Sequence, residues 1–455
     1  MDLKGKKVLV FGSGLSGIGA ADLLQAVQAV PVIYDGNENL SKDAVRGKMR
    51  HPGNTEVLLG AELTEEILDS LDLVVVSPGI PMDIPAVLRI KEKQLPIWGE
   101  VELAYQMSAC KQILAVTGTN GKTTTTALLG EIMKDYRESV FVVGNIGIPY
   151  TSVALDMKDS SVTVAEISSF QLETIEEFRP LGSAITNITE DHMNRHHTME
   201  EYIRVKELIT KNQDMEGFCV LNYEDEILKN FGETLQGRTQ VIYFSSLRRL
   251  DKGIFLDGDT IIWRDEREEI LVTRTGELKL LGLHNFENVM TAVAMAYKAG
   301  VPMESIRCTI HNFAGVAHRI EYVTEKNGVA YYNDSKGTNP DAAIKGIQAM
   351  NRPTLLIGGG YDKESSYEEW IRSFDGKVRY LVLIGQTREK IAEAARRCGF
   401  EDIILADDLE EAVAVCSQKA NPGDAVLLSP ACASWGQFDN YEQRGDRFKE
   451  YVNRL

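Results

Sequence analysis

The densest chemical signal in the chain is Gly118-Thr119-Asn120-Gly121-Lys122-Thr123-Thr124, set between the apolar run Gln112–Val116 and a helix-period stretch reaching to about Lys134. A glycine-rich turn at such a junction lets backbone N–H groups surround phosphate oxygens, and the helix N-terminus adds positive potential. Lys122 there can neutralise the β- and γ-phosphates of ATP, while the Thr123 hydroxyl can join Mg2+ coordination. The usual GxxxxGK[ST] pattern has glycine where this chain has Val116, so the match departs at its first position. A glycine turn with an incidental lysine is the plain alternative.

A second glycine cluster lies near the start. Gly12-Ser13-Gly14-Leu15-Ser16-Gly17 fits GxGxxG after the run Val8–Phe11, and Asp35 stands near the spacing of a ribose-binding acid. On its own this fingerprint suggests a dinucleotide-dependent dehydrogenase. A UDP-sugar offers the same diphosphate to the same helix N-terminus, and the separate loop at Gly118 makes the UDP reading the better one. Tight strand–helix packing without a ligand also fits the residues.

Three further side chains could do chemistry. Glu166, in Ala165-Glu166-Ile167-Ser168-Ser169-Phe170-Gln171, follows a short apolar strand and so falls at the sheet edge that carries the phosphate loop. A carboxylate there can hold Mg2+ or cap the next helix. In Asp191-His192-Met193-Asn194-Arg195-His196-His197, His192 and His196 have i,i+4 spacing, but Met193 stands where the HExxH pattern of zinc proteases has Glu. That argues against a zinc protease. His192, past a strand end, suits Mg2+ binding or proton handling, and equally a surface loop. Lys206 shares a helix face with Tyr202, Ile203 and Ile209. Turned toward that face, its amine would shed its proton and become nucleophilic, open to CO2 as a carbamate whose oxygens suit Mg2+. A lysine whose amine reaches past the face to water fits the same residues.

The elements that must position these groups alternate apolar strand-length runs with helix-period stretches, which predicts parallel sheets covered by helices. The first segment, 1–98, has strands at Val8–Phe11, Pro31–Tyr34 and Leu73–Val76 and a helix over Ala20–Val27. The second, 99–315, adds strands at Val162–Ala165, Ser183–Thr186 and Phe218–Leu221, then antiparallel hairpins between Thr239 and Lys279. The third, 316–455, reads as another doubly wound unit with strands at Val329–Tyr332, Thr354–Ile357, Tyr380–Ile384 and Ala425–Leu428. Ligands are expected at the carboxyl ends of such strands.

A length of 455 residues, 44% hydrophobic and 25% charged, predicts a folded chain of two to four domains. A formal net charge of −18 repels nucleic acid and anionic membranes. Anionic substrates must then be held by particular lysines, arginines and helix N-termini. The run Lys6–Phe11 begins like a signal peptide, but Gly12, Gly14 and Gly17 break it short of a membrane span. Six cysteines without a CxxC pair predict buried, reduced thiols in a cytoplasmic protein.

Taken together the motifs resemble the Mur ligase family over nearly the whole chain. The markers are GTNGKTTT from Gly118, VVGNIG around Asn145, EISSFQLE from Glu166, NITEDHMNRH around His192 and GLHNFEN from Gly282. The last segment adds His318-Arg319, NDSKGTN from Asn333 and SPACASWGQFDNYEQRGDRF from Ser429, the run most specific to D-glutamate-adding members. The resemblance implies a Rossmann-like UDP domain, a central P-loop ATPase-type domain and a Rossmann-like third domain that closes over the nucleotide. It implies a monomer that uses ATP to join D-glutamate to UDP-N-acetylmuramoyl-L-alanine, with no nucleic-acid or membrane partner. Gly14, Leu15, Ser16, Asp35 and Gly79 would face the UDP part, and Asn145 the muramoyl-peptide. Gly118 to Thr124, with Asn288, Arg319 and Asp334, would contact ATP. Glu166, His192 and a carbamylated Lys206 would hold two Mg2+ ions, Thr123 contributing. Thr338, Lys363, Ser434 and Tyr441 would receive D-glutamate, and Lys336 would support the transferred phosphoryl group or the incoming amino acid.

Some positions depart from the family pattern. Gly36-Asn37 stands where members can place a threonine and an arginine near uracil, so uracil must be held without that stacking guanidinium. Gly337 replaces a frequent alanine and Tyr441 a phenylalanine. Lys336 and Lys363 could be surface charges, but both follow predicted strands in an acidic chain, which favours an anion site; before the motif is considered Phe438 and Tyr441 read as core aromatics, and Arg444 and Arg447 read as a solvated helix face. Another Mur ligase or a folylpolyglutamate synthetase, and a P-loop regulatory module, are the competing functions.

Overall fold

The computed structural model describes residues 2–53 and 55–455, and the strands form three sheets. The first holds β1 (Lys7–Phe11), β2 (Val30–Asp35), β3 (Glu56–Leu59), β4 (Leu73–Val76) and β5 (Ile97–Gly99), in the order β3-β2-β1-β4-β5 and parallel throughout. Runs such as Val8–Phe11 and Leu73–Val76 are buried on both faces, as the strands of a helix-covered parallel sheet must be.

The central sheet holds β6 (Gln112–Thr117), β7 (Val140–Gly144), β8 (Val162–Glu166), β9 (Gly182–Ile185), β10 (Phe218–Asn222), β11 (Gln240–Ser245), β12 (Gly253–Asp257), β13 (Thr260–Arg264) and β14 (Glu269–Arg274). Its order is β14-β13-β12-β11-β10-β9-β6-β8-β7. Strand β6 therefore lies between β8 and β9. Val116 pairs with Glu166 on one side and Thr117 with Ile185 on the other. This register is what brings the phosphate loop, Glu166 and the segment after β9 to one sheet edge.

The third sheet holds β15 (Glu321–Lys326), β16 (Val329–Asn333), β17 (Thr354–Gly359), β18 (Val378–Ile384), β19 (Ile403–Leu405) and β20 (Ala425–Leu428), ordered β15-β16-β20-β17-β18-β19. Only β15 is antiparallel to its neighbour. The molecule is thus a three-domain α/β protein, Rossmann-like at both ends of the chain, with a P-loop-type centre.

Three expectations need correction. Between Thr239 and Lys279 the alternation predicts antiparallel hairpins, yet β11 runs parallel to both β10 and β12, and antiparallel pairing begins at β12 with β13. A period of two fixes which face of a strand is buried, not its direction; helix Glu226–Thr234 between β10 and β11 makes a crossover that sets it. The first helix runs Leu15–Ala26, five residues earlier than Ala20, because extended Gly14 serves as its N-cap. Among the thiols, Cys308 is exposed and Cys398 half-buried, while the other four are buried as expected.

The chain divides into two compact units, Met1–Val272 with Glu287–Thr309, and Thr273–Phe286 with Ile310–Leu455. In the first unit one apolar cluster runs from Val8 and Val75 of the first sheet and Leu23 of helix Leu15–Ala26 through Trp98, Val101 and Tyr150 to Ile113 and Leu221 of the central sheet. In the second, separate clusters cover the two faces of the third sheet, one around Ile347 and Trp370, the other around Val413 and Phe448. Among the described residues no helix is long and apolar enough to cross a membrane.

Buried Glu102, on helix Glu100–Met107, accepts backbone N–H bonds from Glu176, Glu177 and Phe178 at 2.8, 3.1 and 3.0 Å. It thereby fixes the loop after the Glu166 motif. Glu102→Ala removes the acceptor of all three donors and strands that of Phe178 in the interior, and we expect a loss of about 2–4 kcal/mol in urea unfolding. An unchanged midpoint would remove this role.

Candidate active site

The loop after β6 is closed by its own backbone. Gly118 and Gly121 have φ of 142° and 84°, and left-handed Gly121 is the N-cap of helix Lys122–Tyr136. A Cβ on Gly121 would lie 2.2 Å from Asn288 Oδ1, so only glycine fits there. Buried Asn288 also accepts the Thr125 hydroxyl at 3.3 Å. The far side of the loop is pinned by residues after β9. Asn187 accepts the Asn120 N–H at 2.9 Å, Thr186 donates to the Asn120 carbonyl, and the Thr119 hydroxyl donates to Thr189 O. Lys122 folds back, its Nζ donating to the carbonyls of Gly118 and Thr119 at 2.8 and 2.9 Å. The half-buried side chains of Thr123 and Thr124 open the helix beside it.

Glu166 ends β8 and is 1% exposed. Asn145 donates to its Oε1 at 2.6 Å. Oε2 is buried with no hydrogen-bond partner, a state that costs free energy and that a cation would relieve. Glu166 is not the helix cap; Ser168 fills that role through a capping box with Gln171. Asn145, which the resemblance assigns to the substrate, thus also steadies this carboxylate.

His192 has a left-handed backbone, φ 56°, at the N-cap of helix Met193–His196. Its ring lies 4.9 Å from that of Phe170, and Arg195 covers Phe170 while forming a two-pronged pair with Glu173. So the Glu166 and His192 motifs are strapped together by residues that sequence reasoning missed, because neither spacing nor motif links Glu173 to Arg195. His196 is a buried structural histidine against Ser169, and desolvation holds its pKa down.

Lys206 is 1% exposed, which excludes the solvent-reaching alternative. Its Nζ donates to Gly118 O at 2.8 Å and lies 4.6 Å from the Tyr202 ring centroid. Burial, reinforced by the Lys122 charge, pushes its pKa down to about 7. Glu166 through strand register and Lys206 through its bond to Gly118 O thus flank the loop that carries Thr123, while His192 stands beside Phe170 of the Glu166 motif. Among the described residues no three His, Cys, Asp or Glu side chains form a closed metal cage. Mg2+ takes one or two carboxylates and completes its shell with phosphate and water oxygens, and the unpartnered Oε2 of Glu166 offers one such oxygen.

In the first domain Asp35 Oδ2 accepts both the N–H and the hydroxyl of Ser13, at 2.9 and 2.5 Å, which lowers its pKa against the desolvation that raises it. Asp35 therefore shapes the glycine turn. Leu15 and Ser16 open the helix there, Leu15 being 84% exposed. Gly79 lies past β4 in open space, where an added Cβ would meet no atom within 4 Å.

The second unit carries the remaining candidate residues. Arg319 is exposed between His318 and Ile320, which have φ of 64° and 47°, a strained presentation typical of functional loops. Asp334 is buried, accepts from Ser429 Oγ at 2.7 Å and from Ile320 N, and burial pushes its pKa up to about 7. Lys336 Nζ donates to Tyr441 Oη at 3.0 Å. Thr338 follows on the same loop, Ser434 is buried after β20, and Lys363 is exposed over the Trp435 ring. Arg447 faces solvent as expected, but Arg444 does not: it is 1% exposed, turned inward by bonds to Ser335 and Cys432.

Sheet order and loop geometry define a three-domain α/β protein built around a P-loop. Comparison with known families narrows that class. Residues 6–99 match the family described as Mur ligase MurD-like, N-terminal domain, 116–296 the Mur ligase middle domain, and 318–432 the Mur ligase, glutamate ligase domain. The chain belongs to the Mur ligase family. It is 56% identical over 457 residues to the UDP-N-acetylmuramoylalanine--D-glutamate ligase of Lachnoclostridium phytofermentans, covering 100% of this chain and 99% of that one. It is 53% identical to the protein of the same name from Lachnospira eligens, covering 100% of both. Among solved structures, UDP-N-acetylmuramate-alanine ligase MurC from Thermotoga maritima shares the fold at TM-score 0.57 and 19% identity, with 99% of each chain covered. MurF from Acinetobacter baumannii does so at TM-score 0.58 and 17% identity, over 85% of this chain and 87% of the other.

The unpartnered Glu166 oxygen yields a test. Glu166→Gln should weaken Mn2+ binding in the presence of ADP by about tenfold or more, read by electron paramagnetic resonance, with unfolding unaffected. Equal affinity would exclude Glu166 as a metal ligand.

Proposed function

We propose that this protein joins D-glutamate to UDP-N-acetylmuramoyl-L-alanine with hydrolysis of ATP to ADP and phosphate, as a monomer in the cytoplasm. The observation that carries the reading is the meeting of a P-loop, an unsatisfied buried carboxylate and a buried low-pKa lysine at one sheet edge, in a chain whose full-length relatives bear that ligase name. Residues 1–98 hold the UDP moiety, 99–315 the ATP, and 316–455 the amino acid.

An amide cannot form from a free carboxylate without a better leaving group. The muramoyl-alanine carboxylate attacks the γ-phosphorus of ATP; an O–P bond forms, the bond to the β-phosphate oxygen breaks, and ADP leaves. Lys122 and Arg319 offset the charge of carboxylate and triphosphate as they approach. The D-glutamate amine then attacks the acyl carbon, and phosphate departs as the amine proton is lost. Gly14, Leu15, Ser16, Asp35 and Gly79 hold the uridine-diphosphate end, with Asn145 near the peptide. Asn288 and Asp334 contact the nucleotide. Thr338, Lys363, Ser434 and Tyr441 bind D-glutamate, and Lys336 supports the phosphoryl group or the amino acid.

Thr123, Glu166, His192 and Lys206 would hold two Mg2+ ions, which neutralise phosphate charge when bound. A lysine amine that is half neutral near pH 7 is suited to a carbamate. Its lone pair attacks CO2, an N–C bond forms and a proton leaves, giving an anion that can serve as a ligand.

Phosphate release should require both substrates and should be fastest with D-glutamate among L-glutamate and other amino acids. Release supported better by another amino acid would reassign the enzyme within the family. Label should migrate within ATP on adding the muramoyl substrate alone; its failure to move would exclude the acyl phosphate.

The Lys206 reading predicts a pH dependence. Its folded pKa lies below the ordinary lysine value, so the neutral amine prevails above about 7 and is lost as pH falls through it. A carbamate carbon signal from 13C-bicarbonate should grow between pH 6 and 8 and vanish in Lys206→Ala. The same signal in that variant would refute the assignment.

A further inference from the structure

The helix Tyr441–Arg454 carries a cation whose place the reaction above does not use. Arg444 is buried, yet its three hydrogen bonds go to uncharged oxygens: Nε to Ser335 Oγ at 2.9 Å, Nη2 to Ser335 O at 2.8 Å and Nη1 to Cys432 O at 3.1 Å. Ser335 stands immediately before Lys336, and Cys432 two residues before Ser434.

We propose that Arg444 is the positioning residue of the amino-acid pocket, tying the loop of Lys336 and Thr338 to the loop of Ser434 and fixing the distance between them. The inference rests on the reading that these residues receive D-glutamate.

The Ser335 hydroxyl that accepts from Nε donates to Tyr441 O at 2.8 Å, and Tyr441 Oη accepts from Lys336. Helix, Lys336 and Tyr441 are therefore one hydrogen-bonded assembly with Arg444 at its base. The next residue, Gly445, lets the helix approach closely: a Cβ there would lie 2.1 Å from His318 Nδ1 and 2.9 Å from Asn333 Nδ2. On the other loop Ala431 has φ 57°, a conformation unfavourable to a residue with a Cβ, and the bond to Cys432 O holds the chain just beyond that bend. A lysine could donate to one loop or the other, whereas a planar fork spans both. Burial pushes the guanidinium pKa down to about 10, so the charge persists at neutral pH.

The test uses the full-length chain, with steady-state phosphate release as each of the three substrates is varied, alongside label migration within ATP, which needs no D-glutamate. Arg444→Lys should raise the KM for D-glutamate by about tenfold or more, the scale set by lost bonds to a buried charge. The KM values for ATP and the muramoyl substrate should stay within about twofold, and label migration should be unchanged. Ser335→Ala, which removes the Nε bond of Arg444 together with the hydroxyl bond to Tyr441 O, should raise the KM for D-glutamate by about threefold and serves if the lysine variant does not fold. An unchanged KM for D-glutamate in the variant that folds, or an equal rise for all three substrates, would overturn the proposal. Wild-type protein indifferent to D-glutamate would instead overturn the functional reading beneath it.

Discussion

Two lysines converge on a single backbone oxygen. Gly118 O accepts from both Lys122 and Lys206 at 2.8 Å, and the rest of the nucleotide site is arranged around that meeting. Like charges so close repel, and one carbonyl dipole offsets only part of the cost. Burial, reinforced by the neighbouring Lys122 charge, pushes the Lys206 pKa down to about 7. The same contact ties helix Met199–Glu207 to the phosphate loop, so the position of the loop and the reactivity of the amine have one cause.

The two units hold their functional groups by different means. Around the phosphate loop the placement follows from register: Val116 opposite Glu166 and Thr117 opposite Ile185 deliver three strand ends to one place. In the second unit no comparable regularity exists beyond the sheet. Arg319, Lys336 and Ser434 lie on loops with strained backbone at His318, Ile320 and Ala431, and those loops need side chains to hold them. Asn333, Ser335, Ser429 and Arg444 supply them.

The strands were legible wherever burial on both faces wrote an unbroken apolar run, as at Val8–Phe11, Leu73–Val76 and Ala425–Leu428. Short or half-exposed strands such as β15 and β19 carry no such run and were not visible. The phosphate loop and Glu166 could be placed because one follows a strand and the other ends one, at the sheet edge where ligands are expected. Arg444 could not, since a helical arginine amid charged neighbours looks solvated whether or not a serine and a carbonyl wait beneath it. The Glu173–Arg195 strap was hidden for a similar reason: its partners belong to separate motifs and meet only in three dimensions.

The apolar cluster shared by the first and central sheets has a consequence for how the chain can be cut. Trp98, Val101, Leu103 and Tyr150 belong to one buried cluster with residues of both sheets, so the core continues across the junction near residue 98. An excised leading segment would carry an oily flank into water and cling to itself, while the remainder would lose the lid over Tyr150. For the leading sheet and its neighbour, what is modular in chemistry is fused in folding.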